Sequence, residues 1–318
     1  MILIIGGAGY VGSHVVKELL SQQHRVVVLD NLSTGHRVSV NKRAIFEKGD
    51  FRNSDDLDRV FSRYSIEAVI HAATYDVIGV QLLLKKMLVH QVYNFIFSSE
   101  LPVSGMSYKD QIQEVYAPYP FVYQGNSSLI IEQVLEDFYK AYDLRYISLR
   151  YYNAVGADVS EGIGEDHQPE THLLPRMLLH LRDQEEQPFL VNRSYDTEDG
   201  TFVREYLHVM DVARAHVAAL HSLLQHDKTN ERYNISSEIG FSVMQLIEKC
   251  EIITGKKLNI SYNSSSSTDL SIVVSSTNKI YRELGWKALC SIEEAIHSAW
   301  LWHNRFPSGY EHTELVYK

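Results

Sequence analysis

Seven residues, Gly6-Gly7-Ala8-Gly9-Tyr10-Val11-Gly12, constrain the fold of this chain more than any other stretch. They follow the apolar run Ile2–Ile5 at once and lead into Val11–Leu20, whose apolar residues recur at helical spacing. A strand, a Gly-x-x-Gly-x-x-Gly turn and a helix together open a βαβ unit. The glycines let the backbone turn tightly and approach a pyrophosphate, and the helix offers that anion its free N–H groups and the positive end of its dipole. Gly6, Gly9 and Gly12, with Tyr10 and Val11 between them, are the candidate phosphate-facing residues. Asp30 follows the next apolar run, Arg25–Leu29, at the distance where a carboxylate meets adenosine ribose hydroxyls. A negative charge there opposes a 2′-phosphate, so NAD rather than NADP is the expected cofactor.

Further strands are predicted at Ala44–Lys48, Ala68–His71, Tyr93–Ser98 and Arg145–Leu149, with helices at Ser54–Tyr64 and Val77–His90 between them. Such alternation predicts an α/β fold, a doubly wound parallel sheet covered on both faces. Ser127–Tyr142 carries two apolar stripes, Ile130/Val134/Phe138 and Ile131/Leu135/Tyr139/Tyr142, enough to face its own core and a partner helix. After Ala157 the rhythm loosens, with strands expected near Val203–Leu207 and Arg232–Ile235 and helices near Val209–Leu223, Val243–Thr254, Ser276–Leu284 and Ile292–Trp302. We read residues 1–155 as a Rossmann-type domain and 156–318 as a smaller α/β lobe woven onto it.

Charge and composition narrow the partners. With 30 Lys+Arg against 40 Asp+Glu the net charge is −10, and no basic run offers a nucleic-acid surface. Two distant cysteines form no disulfide framework, and neither a signal-like segment nor a membrane-length apolar run is present, so a cytoplasmic protein is expected. Among 15 histidines no pair stands four apart and no HExxH occurs, so no metal site is expected.

Gly6–Gly12, Asp30-Asn31-Leu32-Ser33, Gly49-Asp50, His71-Ala72-Ala73 and Phe97-Ser98-Ser99 resemble the extended short-chain dehydrogenase/reductases, most of all the bacterial UDP-glucose 4-epimerases. Arg150-Tyr151-Tyr152-Asn153, Gly164-Glu165-Asp166-His167, Thr171-His172-Leu173-Leu174-Pro175, Arg204-Glu205-Tyr206 and Leu284-Gly285-Trp286 extend the likeness over the whole chain. The resemblance implies an NAD domain, a UDP-sugar lobe and a homodimer formed through paired helices. It places Asp30 and Asn31 on the adenosine ribose, Asp50 and Phe51 on the adenine, and Ala72 and Ala73 near the nicotinamide. Asn153, Leu173, Arg204, Tyr206 and Asp269 fall at UDP-sugar positions; a guanidinium fork such as that of Arg204 suits a diphosphate.

The same resemblance exposes three departures. The family's chemistry needs a tyrosine phenolate to take the sugar 4-hydroxyl proton, a lysine four residues on to lower its pKa, and a Ser or Thr nearby. Those positions fall on Gln124, Ser128 and Glu100, and none of the 20 tyrosines has a lysine four residues later. An unassisted phenol stays protonated at neutral pH, and loss of a positioned base costs about 10²–10⁴-fold. After Ala73 roughly fifteen residues of lid, about four helical turns, are missing relative to the family pattern. Ser266 stands where the pattern has a second phosphate-facing arginine. The expectation is an NAD-binding, weakly UDP-hexose-binding pseudoenzyme. Two alternatives stay open: an active 4-epimerase using Glu100, Tyr123 or water, and a non-catalytic interaction subunit.

Overall fold

Ile2–Ile5 (β1) runs through the middle of a fully parallel sheet, buried on both faces. The computed structural model describes residues 1–100, 111–114, 123–225, 230–265 and 270–311, with 123–126 described by backbone alone. On one side of β1 lie Val26–Asp30 (β2) and Ile45–Lys48 (β3). On the other come Ala68–His71 (β4), Asn94–Glu100 (β5), Arg145–Tyr151 (β6) and Asn230–Asn234 (β10), giving the order β10-β6-β5-β4-β1-β2-β3. Alternation along β1 explains its uniform apolarity: Ile2 and Ile4 enter one core cluster, Leu3 and Ile5 the other.

The first cluster is covered by Tyr10–Ser21 (α1) and Val209–Gln225 (α6), which pack on each other. The second is covered by Ser54–Arg63 (α2), Val77–Val89 (α3) and Tyr123–Tyr142 (α4). Asn53 caps α2 by accepting from the amides of Asp55 and Asp56, and Asp76 caps α3 by accepting from Gly79. The two stripes of α4 separate as expected: Ile131 and Leu135 are fully buried, whereas Ile130 and Tyr142 are half exposed. Glu132, 1% exposed, anchors this helix by accepting from Ser99 Oγ at 2.7 Å and from Arg150 Nε at 2.9 Å.

Residues beyond 156 do not stay apart from this sheet, since α6 and β10 both return to it. The remainder builds a second layer: Asn153–Val155 (β7), Val203–His208 (β9), Gly240–Ser242 (β11) and Ile272–Val273 (β13) form one small sheet, with Phe189–Asn192 (β8) and Ile260–Asn263 (β12) as a pair. Leu173–Asp183 (α5), Val243–Thr254 (α7) and Ile292–Arg305 (α9) pack around a third cluster, and Asn278–Leu284 (α8) joins α6 and β10. Among the described residues no helix is long and apolar enough to cross a membrane.

Candidate active site

Strand order reverses between β1 and β4, so the chain leaves the carboxyl ends of these neighbouring strands in opposite directions and opens a crevice. Gly6 and Gly9 after β1, Asp30 and Asn31 after β2, Asp50 and Phe51 after β3, and Ala72 and Ala73 after β4 all line it. Gly12 lies beneath: a Cβ there would stand 2.0 Å from Gly6 O, so the close approach of α1 to the turn demands glycine. Gly6 needs φ +77 and would meet Ala72 O at 2.7 Å. Gly9 differs from both. Its φ is −80, and an added Cβ would meet only Gly6 O at 3.4 Å, an ordinary contact. The chain itself does not require glycine at 9. A ligand passing over the turn would, and α1 begins there with no side-chain cap on its N–H groups.

Carboxylates fix the far end. Asp30 accepts from Ala8 N at 2.9 Å and Leu32 N at 2.8 Å, which holds the turn against β2. Asp50 accepts from Arg52 in a two-point grip and from Asn31 Nδ2 at 2.9 Å; the Arg52 contact keeps its carboxyl far below the usual carboxylate range. With Arg52 engaged by Asp50, no guanidinium is offered to a 2′-phosphate. The donor set, the open turn at Gly9 and the ribose-side carboxylate fit NAD.

A second cavity of about 260 Å³ continues from the first, and Gly9, Thr34, Ala72, Ala73 and Thr74 line both. Tyr10, Val11, Asn153, Leu173 and Tyr206 are on its wall. Tyr10 Oη donates to Gly156 O at 2.6 Å and ties α1 to the loop after β7. Arg204 does not line this cavity, contrary to expectation: it is buried, donates to Val203 O at 2.8 Å and stacks on Phe202 at 4.8 Å. It remains two residues from Tyr206 on the same face of β9. Asp269 and Ser266 lie outside the described residues, as does the side chain of Gln124, whose backbone is in the first turn of α4.

Beside Tyr10 and Tyr206, the cavity holds phenols that the sequence reading did not assign to it, among them Tyr75 and Tyr151. Tyr75 follows the Ala72-Ala73 motif and hydrogen-bonds the fully buried Ser128; burial, and then the nearby Glu100, raise its pKa well above the ordinary phenol value. Tyr151 bonds Ser98, and burial pushes it up to about 12. Ser98 Oγ stands 2.6 Å from His216 Nε2, while His216 Nδ1 meets Val212 O at 2.8 Å. Nδ1 therefore carries the proton and Ser98 donates to Nε2, a neutral imidazole that burial pushes down to about 4. Glu100, at the end of β5, is raised to about 7 by burial. Among the described residues lining the cavity none is Lys or Arg.

One grouping runs against the expectation that no metal ligands are gathered. Glu165, His167, Glu170 and His172 bring four ligand atoms within 4.8 Å of one another. They sit on a loop, where a search for helical histidine spacing does not reach.

Residues 2–236 match the profile of the NAD dependent epimerase/dehydratase family. The chain is 39% identical to the UDP-glucose 4-epimerase of Halalkalibacterium halodurans over 97% of both chains. Among solved structures it is similar to a UDP-glucose 4-epimerase from Brucella ovis in complex with NAD (33% identical, TM-score 0.90, covering 94% of this chain and 97% of that one). The likeness extends to one from Bifidobacterium longum in complex with NAD+ and UDP (30%, TM-score 0.90, covering 97% and 99%).

Proposed function

The chain belongs to the NAD dependent epimerase/dehydratase family, and from that premise we propose that it binds NAD along the β1/β4 crevice and a UDP-hexose in the adjoining cavity, with 4-epimerisation crippled for want of a base. One observation carries the binding reading: the two cavities are continuous, from Asp30 and Asp50 at one end to Leu173 and Tyr206 at the other. A dinucleotide and a nucleotide-sugar meeting end to end need such a trough. Relatives solved with NAD, and one with NAD+ and UDP, support it.

When bound, NAD supplies a hydride acceptor. The chain must supply a group that takes the proton from the sugar hydroxyl. Tyr75 and Tyr151 are the phenols nearest that task, and burial keeps both protonated at neutral pH. Their hydroxyls are already spent on Ser128 and Ser98. Exposed Ile130 and Tyr142 on α4, with Ile78 and Val89 on α3, support pairing of these helices in a dimer.

A second reading rests on Glu100. A carboxyl titrating at about 7 is half ionised at neutral pH, well suited to general-base work, and it would make this a working 4-epimerase. Incubation with UDP-galactose and NAD, read through a UDP-glucose-specific dehydrogenase, separates the two. We expect turnover more than a hundredfold below the ordinary ~10 s⁻¹. Ordinary turnover overturns the crippled reading, and its loss in Glu100→Gln assigns the base.

A further inference from the structure

Between β7 and α5 the chain folds four side chains toward one point: Glu165, His167, Glu170 and His172. Glu165 is buried, His172 caps the start of α5 with its backbone, and its own amide donates to Glu170 Oε1 at 2.8 Å. Both imidazoles turn the same atom inward. His172 Nδ1 stands 2.7 Å from Glu165 Oε1 and 3.2 Å from Glu170 Oε1; His167 Nδ1 stands 3.4 Å from Glu165 Oε1 and 3.6 Å from Glu170 Oε2. Ligands bound at ~2.0–2.1 Å around a tetrahedral ion are themselves separated by ~3.3 Å. Three of the four separations fall near that value without an ion to draw the groups together.

We propose that these four side chains form a binding site for one divalent first-row transition metal ion, of which zinc is the type. Two imidazoles and two carboxylates are a borderline N₂O₂ donor set suited to such an ion rather than to calcium or magnesium, which take mainly oxygen ligands. A second observation points inward independently. His167 Nδ1 is shielded from solvent and meets no partner in hydrogen-bond geometry, with a Glu165 oxygen 3.4 Å and a Glu170 oxygen 3.6 Å away. A route in also exists, because a cavity of about 380 Å³ is lined by Glu165, His167 and Glu170 together with Trp302 and His303.

Two carboxylates match the charge of a divalent cation, and two imidazoles complete a four-ligand set. The bound ion would fasten the loop before α5, next to Leu173 on the wall of the sugar cavity. Glu165, His167 and His172 also line the sugar cavity, so the site adjoins the proposed UDP-hexose pocket, although ion binding does not depend on that reading.

Chelator-stripped full-length protein, titrated calorimetrically with Zn²⁺ at pH 7.5, tests this directly. The expected result is one ion per chain and a higher unfolding midpoint with Zn²⁺ than without. His172→Ala, at a half-exposed side chain the fold does not need, should weaken binding at least tenfold, and Glu170→Gln should do the same. His221→Ala removes half of the other close histidine pair, His24 and His221 at 3.1 Å, and should leave binding unchanged. Absence of binding, or binding that survives both cluster variants, overturns the proposal.

Discussion

Replacing Gly9 by alanine separates what the fold needs from what a ligand needs. The backbone at 9 is already in a region open to alanine, and the new methyl meets nothing closer than 3.4 Å. Alanine loses less chain entropy on folding but is a poorer N-cap, two effects of about 0.5–1 kcal/mol and opposite sign. Gly9→Ala should therefore unfold within about 1 kcal/mol of the parent. Gly12→Ala, with Gly6 O at 2.0 Å, should fail to fold or lose several degrees. A methyl facing the pyrophosphate path should weaken NAD a hundredfold. At NAD a hundred times the parent dissociation constant, the parent gains about 2.7 kcal/mol and the variant only about 0.4 kcal/mol. At roughly 2 °C per kcal/mol for a chain of this size, that is a gap of about 5 °C in ligand-induced melting shift. Differential scanning fluorimetry reads the shift and titration calorimetry the affinity. If Gly9→Ala binds NAD like the parent, Gly9 does not lie under the pyrophosphate and the assignment of the crevice is wrong.

His71 is fully buried against Phe51, Phe95 and Phe97, and burial lowers its pKa to about 4. The unfolded chain takes up a proton near pH 6.5 that the folded chain refuses, so stability present above that value is lost as pH falls toward 4; Glu100 and Glu205, raised by burial, act in the opposite sense. His71→Leu isolates the one group: its stability relative to the parent should improve by about 2 kcal/mol between pH 7 and pH 5 in denaturant melts, and a pH-independent difference would refute the shift. Ile130 is 50% exposed on α4, and Ile130→Glu should move the chain from dimer to monomer in sedimentation velocity; a parent already monomeric refutes the paired-helix surface.

How much of this was legible in the sequence depended on where the information resides. β1 and α1 could be read because their apolar residues repeat at fixed periods and Gly6–Gly12 leaves the backbone few choices. The crevice could be read with them, since each of its residues directly follows a strand. β7, β11 and β13 could not: they are two or three residues long, too short to show alternation, and exist because β9 offers edges on both sides. α5 was legible but passed over: Leu174, Met177, Leu178 and Leu181 recur at helical spacing, in a helix of only 11 residues. Spacing rules fail for the Glu165–His172 cluster because a loop, not a helix, brings the residues together. The inward turn of Arg204 depends on the Val203 carbonyl and the Phe202 ring, neither visible from a motif.

Binding and chemistry are built on separate supports in this molecule. The hydrogen bonds that shape the cofactor crevice run from Asp30 to Ala8 and Leu32 and from Asp50 to Asn31 and Arg52, and none of them touches α4. α4, on which the family's base would stand, is held from its second and third turns by Glu132 against Ser99 and Arg150, with Arg232 3.2 Å from the same carboxylate. Leaving one of these charges buried and unpaired would cost about 3–5 kcal/mol, so the fold itself depends on this anchor. The hydrogen bonds of Asp30 and Asp50 therefore do not run through Ser128, whose own tie is to Tyr75 in the adjoining cavity. On the proposed reading, that separation lets the chain keep a cofactor while lacking a base.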